Sequence, residues 1–334
     1  MFPSEILVHL DHWQKKFYFN FLILKKSFLK LPLGKRLEFS FIVFIFLSYP
    51  GQNYWQTLIL RNQTPQVKAA SISIDSHPYP INDGTPPPLT TAQAIFIFEP
   101  DSGTILLEKN SNIKLHPAST TKIMTALVAL ETYNLDDILT VRSGEQAIGH
   151  SVKLATNEQF TVKNLLYATL VSSGNDAALT LAESYPDGGY LNFLKLMNQK
   201  AQDLHLLDTS FSNVSGIESL NHKTTVHDLA ILTKEAVKNT TFMEIVGTPS
   251  ITISNVTGES KYLIESTNLL LGQVDGLIGI KTGWTENAGE CLVTYTIRNN
   301  QKIITVVLNS TDRFGESQQL IDWSFTHHTW QNLN

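Results

Sequence analysis

Cysteine is almost absent: Cys291 is the only one in 334 residues. One thiol makes no internal disulfide and no thiolate metal site, so stability must come from the core. The metal-helix pattern HExxH, the phosphate loop GxxxxGK[ST] and the dinucleotide fingerprint GxGxxG are all missing, and the ten histidines show no ligand spacing on one helix. Neither a metal nor a cofactor is expected. Basic charge is also scarce over most of the chain. Residues 1–61 hold eight Lys/Arg against three acids (Glu5, Asp11, Glu38), leaving 17 against 27 afterwards, within a net charge of −5. Nucleic-acid binding needs Lys and Arg clustered on the folded body, so no nucleic-acid partner is expected. No internal repeat is visible. What is plentiful is apolar residues, at 42%, enough for a packed core and incompatible with a disordered or fibrous chain. The length allows one large domain or two ordinary ones.

The basic excess has a place. Lys25, Lys26, Lys30, Lys35 and Arg36 precede the apolar run FSFIVFIFLSY at 39–49. A basic flank followed by an apolar run marks an export signal or an anchor. The run is short for a span of about 20 residues, but continuing through Tyr54, Trp55 and Leu58 to Leu60 reaches that length. The nearest small-x-small site, Val67-Lys68-Ala69, is too distant for ordinary cleavage. The reading is therefore a basic cytoplasmic segment (1–38) and an uncleaved transmembrane signal-anchor (39–60), with everything after residue 61 outside the membrane.

From 61 to 90 the chain is polar and carries Pro65, Pro78, Pro80, Pro86, Pro87 and Pro88, which suits an extended linker. Beyond it, AIFIFEP and TILLEK read as two strands joined by a turn. Helical spacing follows over 119–133, 161–171, 176–184, 190–204 and 224–237. The strand signal returns in ITIS, GLIGIKTG, CLVTYTIR and KIITVVLNS, before a helix-like stretch over 316–329. Strands at both ends around a helical middle predict an α+β fold: an antiparallel sheet flanked by helices, with an inserted helical subdomain, over 91–330.

Among the polar residues, three short elements stand in order. Ser119-x-x-Lys122 follows Pro117, where a helix should begin, and residues three apart share a helix face, so Lys122 can point at the Ser119 hydroxyl. A neutral amine there could deprotonate a serine nucleophile. Alone this is weak, because Ser-x-x-Lys also occurs at Ser27 and Ser111; Ser119 could merely cap a helix. Ser173-Gly174-Asn175 comes next, although Ser-x-Asn recurs at Ser219 and Ser266. Lys281-Thr282-Gly283 occurs once. The ordered triplet is a signature described for penicillin-binding proteins and class A β-lactamases.

With HPASTTKIMTALVALE, KLATNEQFTVKNLLYATLVSSGNDAALTLAE, FSNVSGI followed by TTVHDLA, and KTGWTENAGECLV, residues 91–325 resemble the low-molecular-weight penicillin-binding proteins that are serine D-alanyl-D-alanine carboxypeptidases. Val214 stands where the family usually has proline and Asn157 where it usually has glycine; asparagine tolerates left-handed backbone. The chain is expected to lack the C-terminal β-rich domain and amphipathic anchor of many relatives. The resemblance implies a substrate that is a peptidoglycan stem peptide ending in D-Ala-D-Ala, with β-lactams as covalent inhibitors. It implies Ser119 as nucleophile, Lys122 as proton acceptor and Ser173 as proton relay. Asn175 would orient the substrate amide, and Lys281 with Thr282 would hold the terminal carboxylate. The oxyanion would rest on the backbone N–H groups of Ser119 and Trp284, with Gly283 permitting close approach. His116 is expected on the surface without a partner, Asp176 to cap the next helix, and Cys291 to be inert core packing.

Three alternatives remain at this stage. Glu218-Ser219-Leu220-Asn221 matches the Glu-x-x-Leu-Asn element that positions deacylating water in class A β-lactamases. Glycine at 174 and the WTENAGECLV sequence speak against that enzyme. A D,D-endopeptidase would use the same chemistry at a more open cleft, and a sensor would acylate without turnover.

Overall fold

The computed structural model describes residues 20–21, 23, 25–48, 77–144 and 147–332. The chain divides into two units, residues 1–74 and 75–334. In the first, helix α1 (Leu33–Ser48) covers the start of the apolar run. No helix among the described residues is long and apolar enough to cross a membrane. Residues 49–60 of the expected anchor lie outside the described residues.

The second unit is built on a five-stranded antiparallel sheet. It comprises β2 (Ala94–Phe98), β3 (Ile105–Lys109), β8 (Leu277–Thr285), β9 (Gly289–Arg298) and β10 (Gln301–Ser310), in the order β3-β2-β10-β9-β8. Both ends of the sequence supply strands, as the pattern of strand signals predicts. Side chains alternate across a strand, and the two faces serve two cores. Phe96, Phe98, Val293, Ile304, Val306 and Leu308 join the larger core under the helical middle. Ile95, Ile97, Leu292, Ile303 and Val307 face the other way, onto Leu320 and Ile321 of α8 (Arg313–Thr326). All five β2 residues are buried, which explains their continuous apolar run.

The helical middle surrounds α2 (Lys122–Thr132), whose residues Lys122 through Ala129 are all buried. Around it stand α3 (Val162–Leu170), α4 (Asn175–Glu183), α5 (Gly189–Asp203), α6 (Val226–Ala236) and α7 (Thr240–Val246). Threonine caps start two of them: Thr161 accepts from Asn164 N and Thr225 from Asp228 N. Two small hairpins, β4 (Ile138–Thr140) with β5 (Gln159–Thr161) and β6 (Ser250–Ser254) with β7 (Lys261–Glu265), flank this part. Asn157 takes φ 74°, a left-handed backbone that asparagine tolerates.

Two expectations need correction. Residues 79–82, read as part of the 61–90 linker, form β1 (Tyr79–Asn82), which pairs with β11 (His328–Gln331). Proline at 80 disguises the strand, but its missing N–H matters little in a two-stranded ladder with an open edge. The same pairing explains why α8 stops at Thr326 and not at 329.

Candidate active site

Ser119 sits in a short 3-10 turn (Ala118–Thr121) directly ahead of α2, not inside the helix as its spacing predicts. Ala118, immediately before it, has φ 46°, a conformation that alanine adopts only under constraint. Two hydroxyls supply part of that constraint: Thr120 Oγ1 donates to Pro117 O at 2.7 Å and Thr121 Oγ1 to Ala118 O at 2.8 Å. The turn leaves the Ser119 N–H outside the helical ladder, as first-turn amides are.

Lys122 opens α2 and is fully buried. Its Nζ lies 2.9 Å from Ser119 Oγ and 2.8 Å from Ser215 O. Burial, then the positive charge of Lys281, hold its pKa well below the ordinary lysine value, while Asp176 opposes them weakly. An amine in that state is a base. The Ser215 carbonyl takes one of its hydrogens, which leaves the nitrogen lone pair free to face the Ser119 hydroxyl.

Ser215 belongs to a loop the sequence pattern did not single out as functional beyond family likeness. Asn213 organises it. Asn213 Oδ1 accepts from the N–H groups of Ser215, Gly216 and Ile217 at 3.2, 2.7 and 3.1 Å, and Nδ2 donates to Ile217 O at 2.7 Å. Gly216 has φ 92°, and a Cβ there would fall 1.9 Å from Ala118 O. Only glycine lets this loop press against the nucleophile turn.

Ser173 and Asn175 stand at the junction of α3 and α4. Ser173 has φ 65° and is buried; Asn175 opens α4. The junction is held by Asn175 N–H donating to His150 O at 2.8 Å and Nδ2 to Ile148 O at 2.6 Å. Asn175 Oδ1 is buried without a partner. An orphaned acceptor in a cleft is free to receive an amide N–H or the lysine amine. Asp176, expected to cap α4, lies instead inside its first turn, with Gly174 at the cap position; its carboxylate accepts from Ser151 Oγ (2.8 Å), Val152 N (3.1 Å) and Leu154 N (2.9 Å), and so ties the loop over 150–154 to the start of α4.

Lys281, Thr282, Gly283 and Trp284 lie on β8, whose outer edge carries no further strand of the sheet. Lys281 is buried, with Nζ donating to Thr282 O at 3.1 Å; burial and then Arg313 push its pKa down to about 7. Thr282 Oγ1 meets Thr267 Oγ1 at 2.6 Å, and Arg313 Nη1 donates to Gly283 O at 2.8 Å. A Cβ on Gly283 would come within 3.1 Å of Ser119 N, so the edge of β8 runs beside the nucleophile amide. Trp284 is 62% exposed, its side chain in solvent and not in a core. Arg313 and Thr267 were missed because single polar residues outside any motif carry no spacing signal.

The remaining candidates separate from this cluster. Glu218 places both carboxylate oxygens on Asn287, one at 2.8 Å from its N–H, and so staples its loop to the β8–β9 turn. His116, expected on the surface without a partner, is half-buried, and its Nε2 lies 2.7 Å from Lys223 Nζ. Cys291 is buried in β9, and burial raises its thiol pKa to about 11. Among the described residues no group of three or more His, Cys, Asp or Glu could hold a metal ion. A polar cavity of about 590 Å³ opens beside Thr267 and Ser172, lined also by His150, Lys153, Lys261 and Glu265.

Ser119 hydrogen-bonded to a buried lysine of lowered pKa, beside the edge of an antiparallel sheet, is an arrangement able to carry out serine acyl transfer. Comparison gives the family: residues 82–312 match the model described as D-alanyl-D-alanine carboxypeptidase, and the chain belongs to that family. The D-alanyl-D-alanine carboxypeptidase DacF of Bacillus subtilis is 34% identical over 246 residues, covering 71% of this chain and 63% of the relative. A D-alanyl-D-alanine endopeptidase of Pseudomonas aeruginosa is 31% identical over 68% of this chain and 73% of its own length. The crystal structure of a Streptomyces DD-transpeptidase superposes with a TM-score of 0.69 at 31% identity, covering 72% of this chain and 99% of that one. The chain spans 62–65% of the length of the first curated relatives it matches.

Proposed function

We propose that this chain is a serine D-alanyl-D-alanine carboxypeptidase that removes the terminal D-alanine from peptidoglycan stem pentapeptides and is acylated by penicillins. The observation that carries the reading is the 2.9 Å contact between Ser119 Oγ and a fully buried Lys122 whose pKa is depressed. Lys122 takes the Ser119 proton as Oγ bonds to the carbonyl carbon of the penultimate D-alanine. The oxyanion rests on the N–H groups of Ser119 and Trp284. Ser173 passes the proton to the departing nitrogen, the C–N bond breaks and D-alanine leaves. Water then adds to the ester carbonyl, gives its proton to Lys122, and releases the shortened peptide as Ser119 regains its hydrogen. Asn175, with its open Oδ1, orients the substrate amide, and Lys281 with Thr282 holds the terminal carboxylate.

Glu218 bound to Asn287 supports the carboxypeptidase reading over the β-lactamase one, because a deacylating base needs a carboxylate free to face the ester. The cavity walled by Thr267 supports a D,D-endopeptidase as the second reading: it is larger than one D-alanine needs, and Thr267 is bonded to Thr282. For the N-terminal unit we propose anchorage in the bacterial cell membrane through 39–60, on the strength of the basic flank and apolar run, with the catalytic unit extracytoplasmic and acting in wall organisation and cell shape.

The test is D-alanine release from a pentapeptide ending in D-Ala-D-Ala, alongside cleavage of a cross-linked dimer, with Ser119→Ala as control. Release lost in the variant supports the carboxypeptidase; dimer cleavage with no release from the pentapeptide would replace it with the endopeptidase.

A further inference from the structure

His222 is a buried titratable residue that the mechanism above does not use. Both ring nitrogens are engaged: Ser212 N–H donates to Nδ1 at 3.0 Å, and Nε2 lies 2.7 Å from Thr121 Oγ1. The directions follow by elimination. A backbone N–H only donates, so Nδ1 is unprotonated and the neutral ring carries its hydrogen on Nε2. Nε2–H then donates to Thr121 Oγ1, leaving the Thr121 hydroxyl to donate to Ala118 O at 2.8 Å. An unbroken chain of hydrogen bonds runs from Ser212 N–H to the Ala118 carbonyl.

Each end of that chain touches the catalytic geometry. Ala118 precedes Ser119 and holds the left-handed φ of 46°. Ser212 precedes Asn213, the residue that fixes the Ser215 carbonyl on Lys122 Nζ. The ring packs on Phe211, with centroids 5.8 Å apart, which holds its plane. Burial, with the charge of nearby His116, pushes the His222 pKa down to about 4, so the ring is neutral at any ordinary pH.

We propose that His222, as a neutral Nε2–H imidazole, is a positioning residue for acylation. It braces the turn before Ser119 against the loop over 212–217, keeping Ser119 Oγ and Ser215 O in register around Lys122 Nζ. The proposal rests on Ser119 and Lys122 being nucleophile and base. It requires that breaking the brace slows acylation while leaving the docking of the acyl donor intact, because neither His222 nor Thr121 hydrogen-bonds to Lys281, Thr282 or Asn175.

The experiment is a double-mutant cycle on the full chain, read by penicillin acylation kinetics that separate the affinity of the first complex from the acylation rate constant. His222→Leu removes both links, Thr121→Val removes one hydroxyl at nearly constant volume, and His222→Gln restores one donor and one acceptor. The expected result is an acylation rate lowered about tenfold by His222→Leu and by Thr121→Val, the size of one lost buried hydrogen bond. First-complex affinity should stay within about twofold, and His222→Gln should recover most of the rate. The double variant should be no slower than the slower single one, because both break the same chain. Nitrogen-15 NMR of the wild type should show His222 as the Nε2–H tautomer at neutral pH. Wild-type rates in a folded His222→Leu or Thr121→Val chain, additive losses, or an Nδ1–H tautomer would overturn the proposal. If His222→Leu fails to fold, Thr121→Val decides. A wild-type chain that is never acylated contradicts the proposed function, whereas normal acylation unchanged in the variants contradicts only the brace.

Discussion

The two buried lysines divide the chemistry by their charge. In the proposed mechanism Lys122 must be neutral to accept the Ser119 proton, and Lys281 must be charged to hold a carboxylate. One helps the other, since the Lys281 charge depresses Lys122. The sign of the pH dependence follows. As pH falls, Lys122 gains a proton and loses its function as a base; as pH rises through about 7, Lys281 loses the charge that grips the substrate. A bell-shaped kcat/KM is expected, its alkaline limb near 7. Lys281→Arg, which stays protonated, should move that limb upward by more than one pH unit whatever it does to the maximum; an unmoved limb would assign it to another group. Seven of the eight residues put forward for the site could be picked out because they lie in three motifs that stand in order, and Trp284 because it follows the third. Asn213, Ser215 and His222 were not, because their work is done by a backbone carbonyl and by side-chain bonds that only the folded loop creates.

Elements supply the precision that single residues lack. Ser119 is placed by a 3-10 turn wedged between β8 and the loop carrying Gly216, and the helical spacing of the sequence could not distinguish that turn from the first turn of α2. The long strands and helices were legible from period-two and helical patterns, because each buries a full face. The short ones, β1, β4, β5, β7 and β11, were not: three to five residues carry too few alternations, and β1 contains a proline. The β1–β11 ladder nevertheless closes the catalytic unit, with Thr85 O accepting from Trp323 Nε1 at 3.1 Å and Asp83 bonded to His327 at 3.0 Å. A chain starting at residue 91 should therefore melt roughly 5–10 °C below one starting at 75, the shift a few lost hydrogen bonds and their packing bring to a unit of this size. Calorimetry of the two chains checks this; equal melting temperatures would make β1 dispensable.

At the scale of the whole molecule, the helical middle and the sheet meet at the nucleophile turn: Ser119 and Lys122 come from the start of α2 and Lys281 to Trp284 from the edge of β8, while Asp176, next to Asn175 at the start of α4, lies near enough to act on the Lys122 charge. The α+β class was readable from the order of strand and helix signals, since a sheet assembled from both chain ends leaves the middle to pack on one face. What the order of signals could not give was the closeness of the loop over 212–217, which comes from far along the chain and is admitted by one glycine. The central claim is that Ser119, activated by Lys122, is the acylated residue. Intact-mass and peptide mapping of the full chain after penicillin treatment tests it most directly. The account expects one penicilloyl group on Ser119, absent from Ser119→Ala and slowed at least about a hundredfold in Lys122→Ala, as loss of a positioned base commonly does; an adduct on another serine, or undiminished acylation without Lys122, would contradict it.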